Sequence, residues 1–353
     1  LSHGIAPNAN LVQVRAFGEY GVGTYADVIR GLDWIIAQRD VYDIRVLNLS
    51  FGAPPRSHYW DDPLNQAVMA AWQAGIVVVA SAGNNGPEPM TIGVPGNVPY
   101  VITVGAMSDA VTPQNPGDDF LASFSASGPT VEGFVKPEVV APGGHVVGVM
   151  DKDKHRIAKD YPGWITEDDT LFLMSGTSQA AAVVSGIAAL MLQVTPWLTP
   201  DDLKCRLMAS ARPAVDDDDD LAYSIFQQGA GMTHAYDAVW STATGCANRN
   251  LDIALDLAGV EHYAGRANRD EDGTYYIQGL DDEDHYVWSG GFLWSDGFLW
   301  SDGFLWSDGF LWSDGFLWSD GFLWSDEVTW NEGFLWSNGL NESIATNAWV
   351  EQE

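Results

Sequence analysis

The sequence predicts an α/β protein with a mainly parallel sheet, and three patterns support this prediction. Residues 25–39 form an amphipathic helical pattern that is followed by an apolar strand at residues 45–52. A second helical pattern at residues 62–74 precedes another apolar strand at residues 76–80. Because both strands are nearly continuous apolar runs, each is expected to be covered on both faces, as the strands of parallel sheets are.

The remaining elements follow in chain order. Residues 4–10 predict a turn, and residues 11–17, which alternate apolar and polar side chains, predict a strand. Residues 187–192 continue a helix rich in Ala and Leu. The pair Thr199-Pro200, with two aspartates behind it, predicts the start of another helix, and a last helix is expected at residues 235–240.

The charge of the chain limits its partners. The 353 residues carry 48 acidic and 16 basic side chains, and this formal net charge of −32 disfavours binding to nucleic acid or anionic lipid. No run of about 18 apolar residues predicts a membrane-spanning segment. The sequence opens with Leu1 and has no basic-then-apolar leader, which predicts that a presegment was removed or that the start is missing.

The stretch at residues 174–186 places Gly-Thr-Ser immediately before a run of small residues that begins a helix. A serine there exposes its hydroxyl at the positive end of the helix dipole, where free backbone N–H groups can meet an oxyanion. The alternative is an ordinary buried helix with a serine cap. The stretch resembles the nucleophile motif of the subtilisin-like serine proteases, in which Ser178 matches the nucleophile. Three departures replace no catalytic group of the family: Gln179, Ala182 and Val183 stand for its usual Met, Pro and His.

Other segments resemble the substrate-binding and oxyanion elements of the same family. Residues 81–86 match its Ala-Ala-Gly-Asn segment, which implies that Asn84 donates its amide to the oxyanion; taken alone, Asn-Asn-Gly is usually a turn. The end of the strand at residues 45–52 matches an element whose backbone pairs with extended substrate, although a buried strand ending in a turn is the alternative. Gly93 matches the bottom of the specificity pocket, which implies broad specificity with an apolar bias. The resemblance gives a substrate-binding role to Ser50, Phe51, Gly52, Ser81, Ala82, Gly83, Gly93 and Thr177.

Two scaffold signatures complete the resemblance, at residues 122–130 and 136–143, where Glu138 stands at a position at which Asp is commoner. Six motifs therefore occur in the order of the family. They imply a subtilisin-like three-layer sandwich, incomplete at its N-terminus, whose catalytic domain occupies residues 1–240. Residues 151–170 form a longer and more charged loop than is usual there, and we expect a surface insertion near the cleft.

Cys205 and Cys246 are the only cysteines, and in a secreted chain one disulfide between them is the preferred expectation. Two free buried thiols are the alternative. The five acids at residues 216–220 lack the alternating spacing of a cation site and predict a solvated loop. No cofactor or metal site is expected; the resemblance allows calcium in full-length members but assigns it to no residue here.

The C-terminal third differs in composition. Residues 241–285 predict a small β-rich linker, since residues 251–257 and 274–277 contain short alternating stretches. Residues 286–338 form a repeat in which Gly-Phe-Leu-Trp-Ser-Asp occurs six times without change, and residues 339–353 are a C-terminal tail. Each unit predicts one strand and one corner, which would build a small solenoid or sheet; a disordered sticky tail is the alternative. Aromatic ladders of this kind could bind a glycan, a cell surface or another copy of the repeat.

The partners of a serine nucleophile are missing from the sequence. Such a serine needs a base and a group that orients the base. In the family both precede the segment that residues 4–10 match, and no such motif occurs in this chain. His3 lacks the surroundings of a catalytic histidine, and the other six histidines match no catalytic motif. We therefore expect that the chain is truncated and, as it stands, has little or no protease activity.

Two functions remain open at this point. The first is an extracellular serine endopeptidase that hydrolyses protein or peptide substrates through an acyl-enzyme on Ser178. The second is a non-enzymatic relative whose cleft binds peptide and whose aromatic tail binds a surface. Retention of both Ser178 and Asn84 favours the first, because binding alone requires neither side chain.

Overall fold

The computed structural model describes residues 4–108, 119–166, 171–216, 220–270, 273–278 and 343–346. The predicted aromatic repeat lies outside the described residues. The elements, in chain order, are β1 (Val22–Thr24), α1 (Tyr25–Tyr42), β2 (Val46–Leu49), β3 (Phe51–Gly52), α2 (Pro63–Gln73), β4 (Val77–Ser81), β5 (Ile102–Ser108), β6 (Phe120–Leu121), β7 (Val139–Pro142), β8 (Val146–Val149), α3 (Arg156–Asp160), a 3-10 turn (Pro162–Trp164), β9 (Leu171–Met174), α4 (Thr177–Val194), α5 (Pro200–Ala209), α6 (Ile225–Gln228), α7 (Ala235–Trp240), α8 (Ile253–Leu257), β10 (Ala267–Arg269), β11 (Tyr275–Ile277) and β12 (Ser343–Thr346).

The main sheet is parallel, as predicted. β2 pairs with β4, β4 with β5, and β5 with β7, all in parallel, while β6 pairs antiparallel with the end of β5. Every residue of β4 and β5 is buried, so both faces of the sheet centre are covered. The α/β class with a mainly parallel sheet is therefore confirmed.

Helix α4 lies across this sheet and contacts β2, β4, β5 and β7. Its fully buried side chains include Ala180, Ala181, Val184 and Ala188, whose small size lets the helix approach the strands closely. By length and composition α4 could cross a membrane, with a mean hydropathy of 1.4 over 18 residues. Its contacts with four strands show that it is the core helix of this fold.

The predicted helices begin at side-chain caps. The Asp62 carboxylate accepts the N–H groups of Leu64 and Asn65 at the start of α2. The Thr199 hydroxyl accepts the N–H of Asp202 at the start of α5. These bonds satisfy donors that have no partner inside a helix, and they lie at the helix starts that the sequence predicted.

Two predicted strands are wrong. Residues 11–17 form no ladder with any described strand; Leu11 is 92% exposed, and Val14 lies against Gly31 of α1. Part of residues 251–257 forms helix α8 because the Asp252 carboxylate caps it, accepting the N–H groups of Ala254 and Leu255. Alternating apolar and polar residues mark a segment that could pair with a strand. Such a segment forms a strand only where the edge of a neighbouring strand is available to it.

The segment after residue 240 is attached to the main domain by a disulfide and by a buried polar cluster. Cys205 and Cys246 are joined, with their Cα atoms 5.1 Å apart. The Asp256 carboxylate accepts the hydroxyl groups of Tyr59, at 2.7 Å, and Tyr100, at 2.9 Å, and its other oxygen lies 2.7 Å from Nδ1 of His262. Burial raises the pKa of Asp256, while these three hydrogen bonds oppose that rise.

The same segment also makes close backbone contact with the main domain. The Gly265 N–H donates to the Glu132 carbonyl at 2.6 Å, and the Ala267 N–H donates to the Gly133 carbonyl at 2.9 Å. A Cβ atom on Gly265 would stand 1.8 Å from the Gly133 oxygen, so only glycine fits there.

Smaller sheets complete the fold. β8 pairs with β9, on either side of the 151–170 loop, and β10 pairs with β11, each pair antiparallel. A third small sheet has the order β1-β12-β3, so a strand from the far C-terminus lies between two strands of the N-terminal part.

Candidate active site

Ser178 is the second residue of α4, two positions after Gly176, the glycine that caps the helix. Its hydroxyl donates to the Ser50 carbonyl at 3.4 Å, and the Ser50 hydroxyl donates to the Ser178 carbonyl at 3.1 Å. The N–H groups of the first helical turn have no acceptor inside the helix and carry its positive dipole end. The candidate nucleophile therefore lies where a developing negative charge is stabilised.

Asn84 is fixed in orientation by Thr177, the residue before Ser178. Its Oδ1 atom accepts the Thr177 N–H at 3.0 Å and the Thr177 hydroxyl at 2.8 Å, and the Gly83 N–H donates to that hydroxyl oxygen at 3.2 Å. With Oδ1 occupied, the amide nitrogen must point away from Thr177. Within the described residues Nδ2 of Asn84 is buried and has no hydrogen-bond partner.

Two glycines make this arrangement possible. Gly83, just after β4, has a φ of +114°, which side chains other than glycine rarely adopt. A Cβ atom on Gly176 would lie 3.3 Å from Nδ2 of Asn84 and 2.8 Å from Oε1 of Gln179. The unpaired amide of Asn84 therefore borders the same helix N-terminus as Ser178.

The predicted substrate-binding residues form one backbone framework beside Ser178. Ser50 contacts Ser178, and Phe51 and Gly52 form β3. Beyond β3, Ala53 and Val94 exchange backbone hydrogen bonds at 3.1 Å and 2.8 Å. The Gly93 N–H donates to the Ala82 carbonyl at 3.3 Å, and a Cβ atom on Gly93 would lie 2.9 Å from the Ala53 carbonyl oxygen.

Gln179 is a site residue that sequence reasoning recorded only as a departure from the motif. Its Oε1 atom is buried and, among the described residues, has no hydrogen-bond partner, while its Nε2 lies 3.9 Å from the sulfur of Met174. Its position next to Ser178 was the only signal in the sequence. Two unpaired polar atoms, one donor and one acceptor, thus border Gly176.

No histidine in the described part of the chain is hydrogen-bonded to Ser178. His58 lies 3.4 Å from Glu132, His234 lies 2.9 Å from Asp237, and His262 pairs with Asp256. His3 and His285 are outside the described residues. The arrangement provides a candidate nucleophile and a candidate oxyanion donor, whereas the described contacts of Ser178 include no base.

A buried charge cluster lies at the start of β7. Nζ of Lys136 donates to Glu138 at 2.6 Å and to the Val101 carbonyl and the Thr103 hydroxyl, and Nζ of Lys204 lies 2.8 Å from the same Glu138 oxygen. Burial lowers the pKa of Lys136 to about 7, and neighbouring Lys204 adds to the effect while Glu138 opposes it. Glu138 also accepts the Thr103 N–H at 2.7 Å, so this carboxylate connects β7 to β5.

Comparison with known proteins places this arrangement in a family. The Serine protease AprX of Bacillus subtilis (strain 168) is 39% identical over 249 residues, which cover 67% of this chain and 52% of the relative. Subtilisin DY of Bacillus licheniformis is 34% identical over 210 residues, covering 59% of this chain and 63% of the relative. The chain thus spans about half to two thirds of the length of these relatives.

Among solved structures, the patellamide maturation protease PatA matches with a TM-score of 0.45 and 28% identity, covering 61% of this chain and 68% of that one. The model of the subtilase family, Peptidase_S8, matches residues 1–233, about two thirds of the chain and all of the residues that build the site. The chain therefore belongs to the subtilase family.

Proposed function

We propose that this protein is a serine endopeptidase in which Ser178 is the nucleophile and Asn84 supplies the oxyanion donor. The single observation that carries the proposal is the state of the Asn84 amide: its oxygen is held by Thr177, and its buried nitrogen is left without a partner beside the N-terminus of α4. An unpaired buried donor costs stability, so a site that keeps one has a use for it.

The proposed reaction is acyl transfer. Ser178 Oγ attacks the carbonyl carbon of a peptide bond, and its proton passes to a base. The negative oxygen that forms is stabilised by Nδ2 of Asn84 and the Ser178 N–H. The amine leaves with a proton from the base, and water then hydrolyses the acyl-enzyme on Ser178.

The reaction also needs a base and a carboxylate that orients it. We infer that a histidine and an aspartate supplied by sequence upstream of Leu1 complete the triad. The family order, in which both precede the serine, supports this inference, as does the greater length of the curated relatives. Residues 1–353 alone are accordingly proposed to be nearly inactive.

The test uses the protein extended by the upstream sequence that this inference requires, and a fluorophosphonate probe that reacts with activated serines. We expect one adduct on the peptide that contains Ser178 and its loss in Ser178→Ala. Ser185→Ala is the matched control because its hydroxyl lies on the same helix and bonds to Asn48 and to the Ala181 carbonyl. A folded full-length protein that takes up no probe would overturn the proposal and leave a peptide-binding relative without catalysis.

We further propose that the protein acts outside the cell on protein or peptide substrates. The disulfide between Cys205 and Cys246 supports this location, because disulfides persist in oxidising compartments. Fractionation of the producing cells tests it: the oxidised protein is expected in the medium or at the cell surface. Reduced protein retained inside the cell would contradict it.

A further inference from the structure

Strand β12 fills the space between two strands that do not otherwise pair with each other. It is antiparallel to β1, with Val22 opposite Ala345, and antiparallel to β3, with Gly52 opposite the same Ala345. The sheet order β1-β12-β3 makes it the central strand. The backbone edges of β1 and β3 are therefore both paired to one segment of this chain's own C-terminus.

The register brings this segment to the candidate nucleophile. Thr346 lies opposite Phe51, and the residue before Phe51 is Ser50, whose carbonyl accepts the Ser178 hydroxyl. Since β12 is antiparallel to β3, its residue numbers rise toward Ser178. The chain direction of β12 therefore points toward the nucleophile.

The geometry points to an autoinhibitory role, and we propose that residues 343–346 act as a built-in occupant of the substrate groove, competing with peptide substrates for the edges of β1 and β3. The proposal rests on the proposed function of Ser178 only for its inhibitory consequence. Occupation of the groove is a separate claim that holds with or without catalysis.

Strand addition explains why the short segment at residues 343–346 is sufficient to occupy the groove. An extended peptide that joins an exposed sheet edge gains main-chain hydrogen bonds, and here both edges of the added strand are used. The other edge of β1 is already used, because the Val22 carbonyl accepts the Gly18 N–H at 3.0 Å. The edge that remains available on β1 is the one that β12 covers.

The strength of the proposed inhibition depends on the fact that β12 belongs to the same chain as the groove. Binding within one chain corresponds to an effective concentration on the order of 1 mM for short linkers and lower for long ones. Residues 279–342 connect the groove strand to the rest of the described chain, and about 3.3 Å per extended residue makes their reach ample. If the strand binds with a Kd of about 0.1–1 mM and its effective concentration is about 1 mM, the apparent KM rises about 2- to 10-fold with kcat unchanged.

Hydrogen exchange tests occupation of the groove without any need for activity. Three chains are compared: residues 1–353, a chain ending at residue 346, and a chain ending at residue 342. We expect the amides of residues 22–24 and 51–52 to be protected in the first two and to exchange faster in the third. The chain ending at residue 346 is the matched control, since it loses part of the tail but keeps the strand. Equal exchange in all three would overturn the proposal.

Inhibition is tested in the full-length enzyme with two substitutions at one position. Ala345→Pro removes a backbone N–H from the central strand, whereas Ala345→Val keeps it. We expect Pro to lower KM about 2- to 10-fold with kcat unchanged, and Val to change neither. A KM unaffected by Ala345→Pro would overturn autoinhibition, and so would cleavage of the tail at the rate of an unrelated peptide, since the tail would then be a substrate.

The two proposals fail in distinguishable ways. Protection of residues 22–24 and 51–52 in a protein that no fluorophosphonate labels would leave the groove strand in place and remove the protease. Labelling of Ser178 together with equal exchange in all three chains would retain the protease and remove the groove strand.

Discussion

The side-chain oxygen of Asn84 accepts two hydrogen bonds from Thr177, one from its N–H and one from its hydroxyl. Thr177 directly precedes Ser178, so the orientation of the candidate oxyanion donor is coupled to the backbone that holds the candidate nucleophile. The amide cannot turn over without breaking both bonds. Its nitrogen is thereby kept available for substrate before any substrate arrives, which is what preorganised stabilisation of an oxyanion requires.

This coupling allows the donor to be removed alone. Asn84→Asp keeps an oxygen for Thr177 but loses the Nδ2 donor, so we expect kcat of the full-length enzyme to fall about 100- to 1000-fold. That magnitude is the one known for removal of this donor in a subtilisin and is carried over from it. Thr177→Val, which keeps the backbone bond and loses only the hydroxyl, is expected to have a smaller effect. Equal kcat values for Asn84→Asp and the unmodified enzyme would contradict the assigned role.

The buried lysine predicts a pH dependence of stability. Burial lowers the pKa of Lys136 to about 7 from 10.5. Between these values the unfolded chain binds more protons than the folded one, so the contribution of Lys136 to stability rises with pH from about 7 to about 10.5. The free energy of unfolding, measured by denaturant at several pH values, should show this rise in the unmodified protein relative to Lys136→Met. The exposed control Lys159→Met should keep the slope; a slope retained in Lys136→Met would contradict the shift.

Reduction of the disulfide should destabilise the protein. Cys205 and Cys246 are 41 residues apart, and closing a loop of that length stabilises the folded state by about 4 kcal/mol in the loop-entropy description. Cys246 is exposed, so a reductant can reach it. We expect dithiothreitol to lower the free energy of unfolding by about 2–4 kcal/mol, and to have no effect on the double variant Cys205→Ala, Cys246→Ala. Unchanged stability with both thiols titratable would contradict the prediction.

The Asp256 cluster predicts a contrast between two substitutions. Asp256→Ala leaves the hydroxyl groups of Tyr59 and Tyr100 without their acceptor, and each buried donor left in this way costs about 1–3 kcal/mol. Asp256→Asn keeps an oxygen for both tyrosines and should cost less. Denaturant unfolding, combined with hydrogen exchange of residues 253–278, measures both effects. Equal losses in the two variants would show that the cluster does not attach this segment.

Local patterns were sufficient for the parallel sheet and its helices, because caps such as Asp62 and apolar runs such as residues 76–80 carry their own signal. The approach of Asn84 to the helix of Ser178 was implied by the resemblance of both segments to subtilase motifs. The strand predicted at residues 11–17 is absent because a strand also needs a neighbouring sheet edge. The contacts of Asp256 with Tyr59 and Tyr100, and the pairing of residues 343–346 with β1, join segments about 150 or more residues apart along the chain, and no local pattern encodes a partner at that distance.

The close backbone contact between Gly133 and Gly265 links the surface of the protein to its core. Even a methyl group at position 265 would collide with the Gly133 carbonyl, so Gly265→Ala would force two backbones apart. The neighbouring Glu132 side chain accepts the N–H of Tyr59 at 3.0 Å, and Tyr59 is fully buried. Because Glu132 and Gly133 are consecutive, a backbone shift that the added methyl group causes at Gly133 would also move Glu132 and, through its hydrogen bond, the buried Tyr59.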